Sequence, residues 1–187
     1  QVTVDGQTHR IPQPFTVIAT QNPVGAAGTQ LLPDSQMDRF TIRLSMGYPA
    51  PKDERDMVLR RQDGNPLLQV RPVLTRSQLS GLQDQPSGIY VQEDLVDYIV
   101  RLIGATRNHS AILRGASPRA TLSVTAMAKA IALLNNRDFV IPSDVQAVFC
   151  DTVAHRLILE PGAEARGRSA RDVLEEILKA ASAPRVS

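Results

Sequence analysis

This chain of 187 residues has few aromatic residues, a single cysteine and almost no net charge. Tryptophan is absent and aromatic residues make up 4%, so a core must rest on aliphatic side chains. The single Cys150 excludes an internal disulfide framework and favours a reducing compartment, the cytoplasm. A formal charge of +2 gives no bulk attraction for nucleic acid. No apolar run approaches the roughly 20 residues of a membrane span.

Motifs for several common chemistries are missing as well. His9, His109 and His155 do not have the spacing of metal ligands, so no metal site is predicted. His155 is interpreted as structural, and Cys150 as a buried, inert thiol. Ser117 lacks the context of a nucleophile elbow. The sequence contains no G-x-x-x-x-G-K-[ST] loop and no acidic Walker B strand, so these residues do not cradle a nucleotide by themselves.

The first part of the chain has the pattern of β structure. Residues 1–4 and 7–11 flank Asp5-Gly6, a strong turn signal, and predict a hairpin. Residues 15–20 form a nearly continuous apolar run, which is typical of a core strand covered on both faces. Residues 41–46 predict a second core strand.

The remainder has helical periodicity. A break at residues 47–51 carries glycine and two prolines and predicts a hinge. The predicted fold class is therefore α/β followed by all-α, with one domain over residues 1–47 and a helical domain over 52–183. The predicted helices cover residues 52–61, 75–84, 92–108, 117–135, 142–157 and 170–181.

Two polar residues stand out in the β-rich part. Asn22 follows the first core strand, where ligands bind in open α/β sheets; the alternative is that Asn22-Pro23 is only a turn. Arg39 ends a short helical turn before the second strand. Its guanidinium suits phosphate oxygens, as in an arginine finger, or else a local salt bridge with Asp34, Asp38 or another carboxylate.

A third candidate is Arg119, which follows Pro118 in the first turn of a predicted helix. A cation there is unfavourable beside the positive end of the helix dipole. Arg119 is therefore expected to have an anionic partner, either a nucleotide phosphate or an ordinary carboxylate.

The order of six short motifs resembles the MoxR family of AAA+ ATPases over nearly the whole chain. These motifs are ATQNP, LPDSQMDRF, GYP, GASPRA, NRDFVIPSDV at 136–145 and AHR at 154–156. The resemblance implies the end of an αβα ATPase core followed by a helical lid. It places Asn22 at sensor 1, Arg39 at the arginine finger acting in trans, and Arg119 at sensor 2. The hairpin resembles the insertion that precedes sensor 1 in this clade.

The resemblance also implies what the intact protein uses. ATP and Mg²⁺ are expected at the interfaces of a ring, expected to be a hexamer, which remodels or matures client proteins and inserts metals or cofactors in some cases. The chain departs from the family pattern at residues 24–27, where a Glu is common, and at Asp34, where Glu is usual. The phosphate loop is expected upstream of Gln1, so this chain alone should neither hydrolyse ATP nor hold a cofactor.

A rival hypothesis from another class is a non-enzymatic helical interaction or nucleic-acid-binding module. Its recognition helix would need a basic face. The helix from Gln92 contains Arg101 and Arg107 but also acidic residues at 93, 94 and 97, which makes nucleic acid a poor partner.

Overall fold

The computed structural model describes residues 1–21, 32–62 and 64–185. The chain divides into two compact units. The first comprises Gln1–Val17 and Leu44–Gln83, and the second Ile18–Arg43 and Asp84–Ser187. Both units draw on residues from either side of the predicted hinge, so the division at 47–52 stays a prediction about folding.

The regular elements, in chain order, are short strands and mostly longer helices. They are β1 (Val2–Val4), β2 (Gln7–His9), α1 (Asp34–Met37), α2 (Pro51–Gln62), α3 (Arg76–Asp84), α4 (Glu93–Asn108), β3 (Ile112–Arg114), α5 (Pro118–Leu134), α6 (Pro142–Val153), β4 (Ile158–Leu159), α7 (Pro161–Ala165) and α8 (Ala170–Ala180). Within the described residues, 3₁₀ turns cover Pro66–Gln69, Gln85–Gly88 and Ala154–Arg156.

The first unit contains the predicted hairpin. Strands β1 and β2 pair antiparallel with Val4 opposite Gln7. Asp5 and Gly6 have φ of 50° and 78°, the left-handed pair that a two-residue type I′ turn requires. The same unit holds α2 and all of α3 except its last residue, and neither helix contains a buried residue.

The second unit has the core. Helix α5 packs against α4 and α6, and α8 packs against α4 and α6. The inward residues of α4 recur at the predicted helical spacing: Leu95, Tyr98, Ile99, Leu102, Ile103 and Thr106. Strands β3 and β4 pair antiparallel with Ile112 opposite Leu159. No helix in the described ranges is long and apolar enough to cross a membrane.

Helix starts follow the sequence closely. Pro118 and Pro142 are the first residues of α5 and α6, as predicted, because proline's fixed φ suits that position. Asp144 accepts a hydrogen bond from the backbone N–H of Ile141 at 2.9 Å and completes the first turn of α6. Arg137 donates to both Asp144 oxygens at 2.8 and 2.6 Å, which neutralises that buried carboxylate.

The α/β-then-all-α class is confirmed, but the two predicted core strands are not formed as strands. Residues 15–20 and 41–46 lie outside every helix and ladder. Phe15, Val17 and Ile18 are 57%, 60% and 88% exposed. A strand exists through its hydrogen-bonded neighbours. Among the described residues, Arg43 N–H bonds to the Asp151 carbonyl, but no strand pairs with either segment.

Candidate functional site

Two arginines and a serine from the helical part converge on the carboxylate of Asp38. Arg156 donates from Nη1 to Oδ1 at 3.2 Å, and Arg119 Nη1 lies 3.7 Å from Oδ2. Ser117 donates from Oγ to the same carboxylate at 3.3 Å. The LPDSQMDRF segment is thereby joined to GASPRA and to AHR within one unit.

The carboxylate of Asp38 lies beside the first residues of α5. Ser117, the residue before that helix, directs its hydroxyl to Asp38 rather than to the helix backbone. A negative charge near a helix N-terminus is favourable because the unpaired N–H groups there carry partial positive charge. Asp38 therefore offsets the unfavourable placement of Arg119 in the first turn.

Arg156 is the most buried charged group of this cluster, with a side chain 1% exposed. Nε donates to the carbonyl of Thr152 at 3.0 Å, and Nη2 donates to the carbonyl of Phe40 at 2.7 Å and to Ser123 Oγ at 3.0 Å. Burial lowers the pKa of Arg156, and the negative charge of Asp38 opposes that shift. Each nitrogen has a partner, so the buried charge is satisfied.

His155 makes a second contact with the same carbonyl. Its Nε2 lies 3.0 Å from the Phe40 oxygen, which can only accept, so Nε2 carries the proton. Burial lowers the pKa of His155, and the nearby charges of Arg156 and Arg43 lower it further against the hydrogen bond to Phe40. The imidazole is therefore neutral near pH 7, in keeping with its interpretation as structural.

Arg39 lies between Asp38 and Phe40 in the chain. Its neighbours Asp38 and Phe40 are both bound by Arg156, whereas Arg39 itself is exposed. The local salt bridge weighed above is not observed: Asp34 pairs with Arg114 at 2.8 Å, and Asp38 pairs with Arg156 and Arg119. Among the residues that the structure describes, Arg39 has no ion pair.

The sequence predicted an anionic partner for Arg119, either a phosphate or a carboxylate. Its side chain is 51% exposed and only 3.7 Å from Asp38, so an ordinary carboxylate is its partner here. That contact is long for a charge-assisted hydrogen bond, and within residues 1–21, 32–62 and 64–185 no hydrogen bond engages the guanidinium donors of Arg119. The arrangement is compatible with both partners predicted for it.

Asn22 lies outside the described residues, so its role stays a prediction. Sequence reasoning named Asp38 only as a possible partner of Arg39 and did not identify Arg156 as a member of the site. The signal was present, because AHR belongs to the recognised motif order and Asp38 precedes the candidate finger, but no sequence rule shows that they meet. Cys150 is buried, as predicted, and burial raises the pKa of its thiol.

Two family models match the chain. The model "ATPase family associated with various cellular activities (AAA)" matches residues 1–42, and "AAA lid domain" matches residues 104–177. The first range contains Arg39 and the second contains Arg119 and Arg156.

Relatives match over almost the full chain. YeaC of Bacillus subtilis, which is uncharacterized, is 38% identical over 98% of this chain, and chaperone MoxR1 of Mycobacterium tuberculosis is 38% identical over 100% of it. The chain spans 57% and 51% of their lengths. The crystal structure of an inferred ATPase from Cytophaga hutchinsonii superposes with a TM-score of 0.90 at 35% identity, over 98% of this chain and 58% of that one. The chain belongs to the MoxR-type AAA+ ATPases and corresponds to the C-terminal part of that fold.

Proposed function

We propose that this chain supplies the nucleotide-response part of an ATP-driven ring, in which hydrolysis remodels or matures client proteins. The name chaperone MoxR1, carried by a relative at 38% identity, supports the chaperone-like class. Insertion of metals or cofactors into clients is one form that such maturation takes. We place the intact protein in the cytoplasm and its ATP sites between the subunits of a hexamer.

Three residues carry the proposed chemistry. Asn22, as sensor 1, positions the water that attacks the γ-phosphate. Arg39 reaches the γ-phosphate of the adjacent subunit and stabilises the charge that develops there, the work of an arginine finger. Arg119, as sensor 2, binds the phosphates and moves the lid with the state of the nucleotide.

The Asp38 cluster is the observation that carries this proposal. An isolated exposed arginine is commonplace, but Arg39 is exposed between two residues that a buried arginine holds in place. Arg119 contacts Asp38, which is the residue next to Arg39. A change in the position of Arg119 would therefore alter its contact with Asp38, one residue from the proposed finger.

The described residues fit the phosphate part of ATP better than its metal. Arg119 offers free guanidinium donors at the start of α5, which suits an anion. No group of three or more His, Cys, Asp or Glu side chains in the described ranges is arranged to hold an ion. No Mg²⁺ ligand is therefore assigned to the described residues.

The test uses the full-length parent protein with Arg39→Ala. Turnover should fall by about 10³–10⁵ while nucleotide affinity stays nearly intact, because a finger acts on the transition state. Arg166→Ala is the matched control, since Arg166 is also exposed and lies at the end of α7. Turnover of Arg39→Ala equal to that of the control would reject the finger.

Mixed rings decide whether the finger acts in trans. Arg39→Ala subunits are combined with subunits disabled in the phosphate-binding loop, neither of which is active alone. A finger in trans lets some interfaces pair an intact loop with an intact Arg39, so activity returns in the mixture. A mixture as inactive as either parent would contradict action across the interface.

A further inference from the structure

We propose that Arg156 and His155 are positioning residues for Arg39, which hold the chain on both sides of the finger so that its guanidinium is presented in one direction. This inference rests on the proposed role of Arg39. It assigns a role to the AHR motif, which the proposed function leaves without one.

Arg156 holds Arg39 by its two neighbours. One end of the guanidinium binds the carboxylate of Asp38 at 3.2 Å, and the other binds the carbonyl of Phe40 at 2.7 Å. The contacts flank the Cα of Arg39 on each side along the chain. The planar guanidinium fixes the angle between its donors, so the distance between the two held points is fixed as well.

His155 adds a second donor to the Phe40 carbonyl. Its Nε2–H approaches that oxygen at 3.0 Å, so both lone pairs of the carbonyl are used. A carbonyl held from two directions resists rotation of the peptide plane between Phe40 and Thr41, one residue after Arg39. The ring does this in its neutral form, which the lowered pKa of His155 secures near pH 7.

Arg156 is itself fixed from the helical side. The Thr152 carbonyl in α6 and the Ser123 hydroxyl in α5 each accept a hydrogen bond from it at 3.0 Å. With its side chain 1% exposed, the guanidinium is shielded from solvent. Through Arg156, helices α5 and α6 of the lid therefore fix the position of Arg39 in the same subunit.

Two further contacts hold the rest of the segment to the helical part. Asp34 pairs with Arg114 of β3 at 2.8 Å, but both side chains are more than half exposed, so this pair contributes little. The backbone N–H of Arg43 donates to the Asp151 carbonyl at 2.9 Å. Ser117 and Arg119 also contact Asp38, but only Arg156 binds on both sides of the finger, and its side-chain partner at the Phe40 carbonyl is His155.

The test compares Arg156→Gln, Arg156→Lys and His155→Gln in the full-length ring. Displacing a reacting group by about 1 Å costs about 10² in rate, so we expect Arg156→Gln to lower kcat by about 10² with the nucleotide Kd unchanged. Arg156→Lys keeps the positive charge but not the planar fork of donors that spans Asp38 and Phe40, so it should remain slow. His155→Gln, whose amide N–H can still donate, should lose less than Arg156→Gln.

Arg137→Gln is the matched control. Arg137 likewise forms an ion pair with a carboxylate of the same unit, the buried Asp144, and among the described residues it has no hydrogen bond or ion pair with residues 38–40. It should lower the melting temperature as Arg156→Gln does, without the loss of kcat. If both variants lower kcat equally at equal loss of stability, Arg156 is merely structural and the inference fails.

The double variant Arg39→Ala/Arg156→Gln separates this inference from the proposed function. If Arg156 acts through Arg39, the double variant is no slower than Arg39→Ala alone in single-turnover hydrolysis. Independent, multiplying losses would overturn the inference. Full turnover by Arg39→Ala would instead reject the proposed finger. Should Arg156→Gln fail to fold, the same cycle with His155→Ala, which removes the donor to the Phe40 carbonyl, decides between these outcomes.

Discussion

Replacement of Gly115 by alanine tests how the GASPRA motif is held at the end of α4. A Cβ on Gly115 would meet Arg107 Cα and the Thr106 carbonyl oxygen at 2.7 Å, and the Arg107 nitrogen at 2.8 Å. These are backbone atoms of a helix and cannot rotate away. The obstacle is space, since Gly115 is not among the residues with positive φ.

The expected loss of stability follows from the backbone that must move to make room for the added Cβ. Overpacking a well-packed site costs about 1–3 kcal/mol, and contacts with backbone belong at the upper end, so we expect about 3 kcal/mol. The hydrogen bonds from Ala116 N–H to Thr106 Oγ1 at 3.1 Å and from Arg107 Nε to the Ala116 carbonyl at 2.9 Å would lengthen. For a chain of this size the melting temperature should fall by about 6–12 °C.

Thermal unfolding of the 187-residue chain, followed by circular dichroism, measures this loss. Gly104→Ala is the control: Gly104 lies inside α4, and its added Cβ meets nothing within 4 Å. That variant should gain about 0.5–1 kcal/mol, because alanine has the higher helix propensity. Equal melting temperatures for the two variants would refute the steric reasoning at Gly115.

Two further predictions concern the same unit. Burial lowers the pKa of His155, so the folded state disfavours its protonation. The contribution of His155 to stability should be full above about pH 6.5, its pKa in the unfolded chain, and should fall as the pH drops through that value. His155→Gln should flatten this pH dependence of stability in denaturant titrations, and an unchanged pH dependence would contradict the prediction. Leu102 is 0% exposed in α4, so Leu102→Ala should lower the free energy of unfolding in urea by about 2–5 kcal/mol. Val100 is 51% exposed on the same helix, so Val100→Ala should cost about 0.5 kcal/mol or less. Equal losses would refute the assignment of the buried face.

Periodicity and proline placement predicted the helices well, because both are local properties. The apolar residues of α4 occupy its buried face, and Pro118 and Pro142 begin their helices as expected. The Asp5-Gly6 turn was equally predictable, since its left-handed backbone favours those residue types. Each of these signals lies within one turn or one helix.

The two core strands and the Asp38 cluster depend on residues far apart in the sequence. Residues 15–20 have the composition of a buried strand, but composition supplies no hydrogen-bonded neighbour. Asp38 and Arg156 are 118 positions apart, and only the folded chain brings their charges together. Arg119 drew attention through a local conflict with the helix dipole, which is why its need for an anion was predictable.

Stability alone does not account for a buried arginine at position 156. Replacing a buried ion pair with apolar side chains of similar volume is often neutral or stabilising, since desolvating the charges offsets their attraction. An apolar residue would fill the same space between α5 and α6, but it would join nothing to Asp38 or Phe40. Only a side chain with several donors in one plane reaches Thr152, Ser123, Asp38 and Phe40 at once. The feature that arginine adds is the fixed geometry around residue 39, so a loss of turnover larger than the loss of stability is the result that this geometry requires.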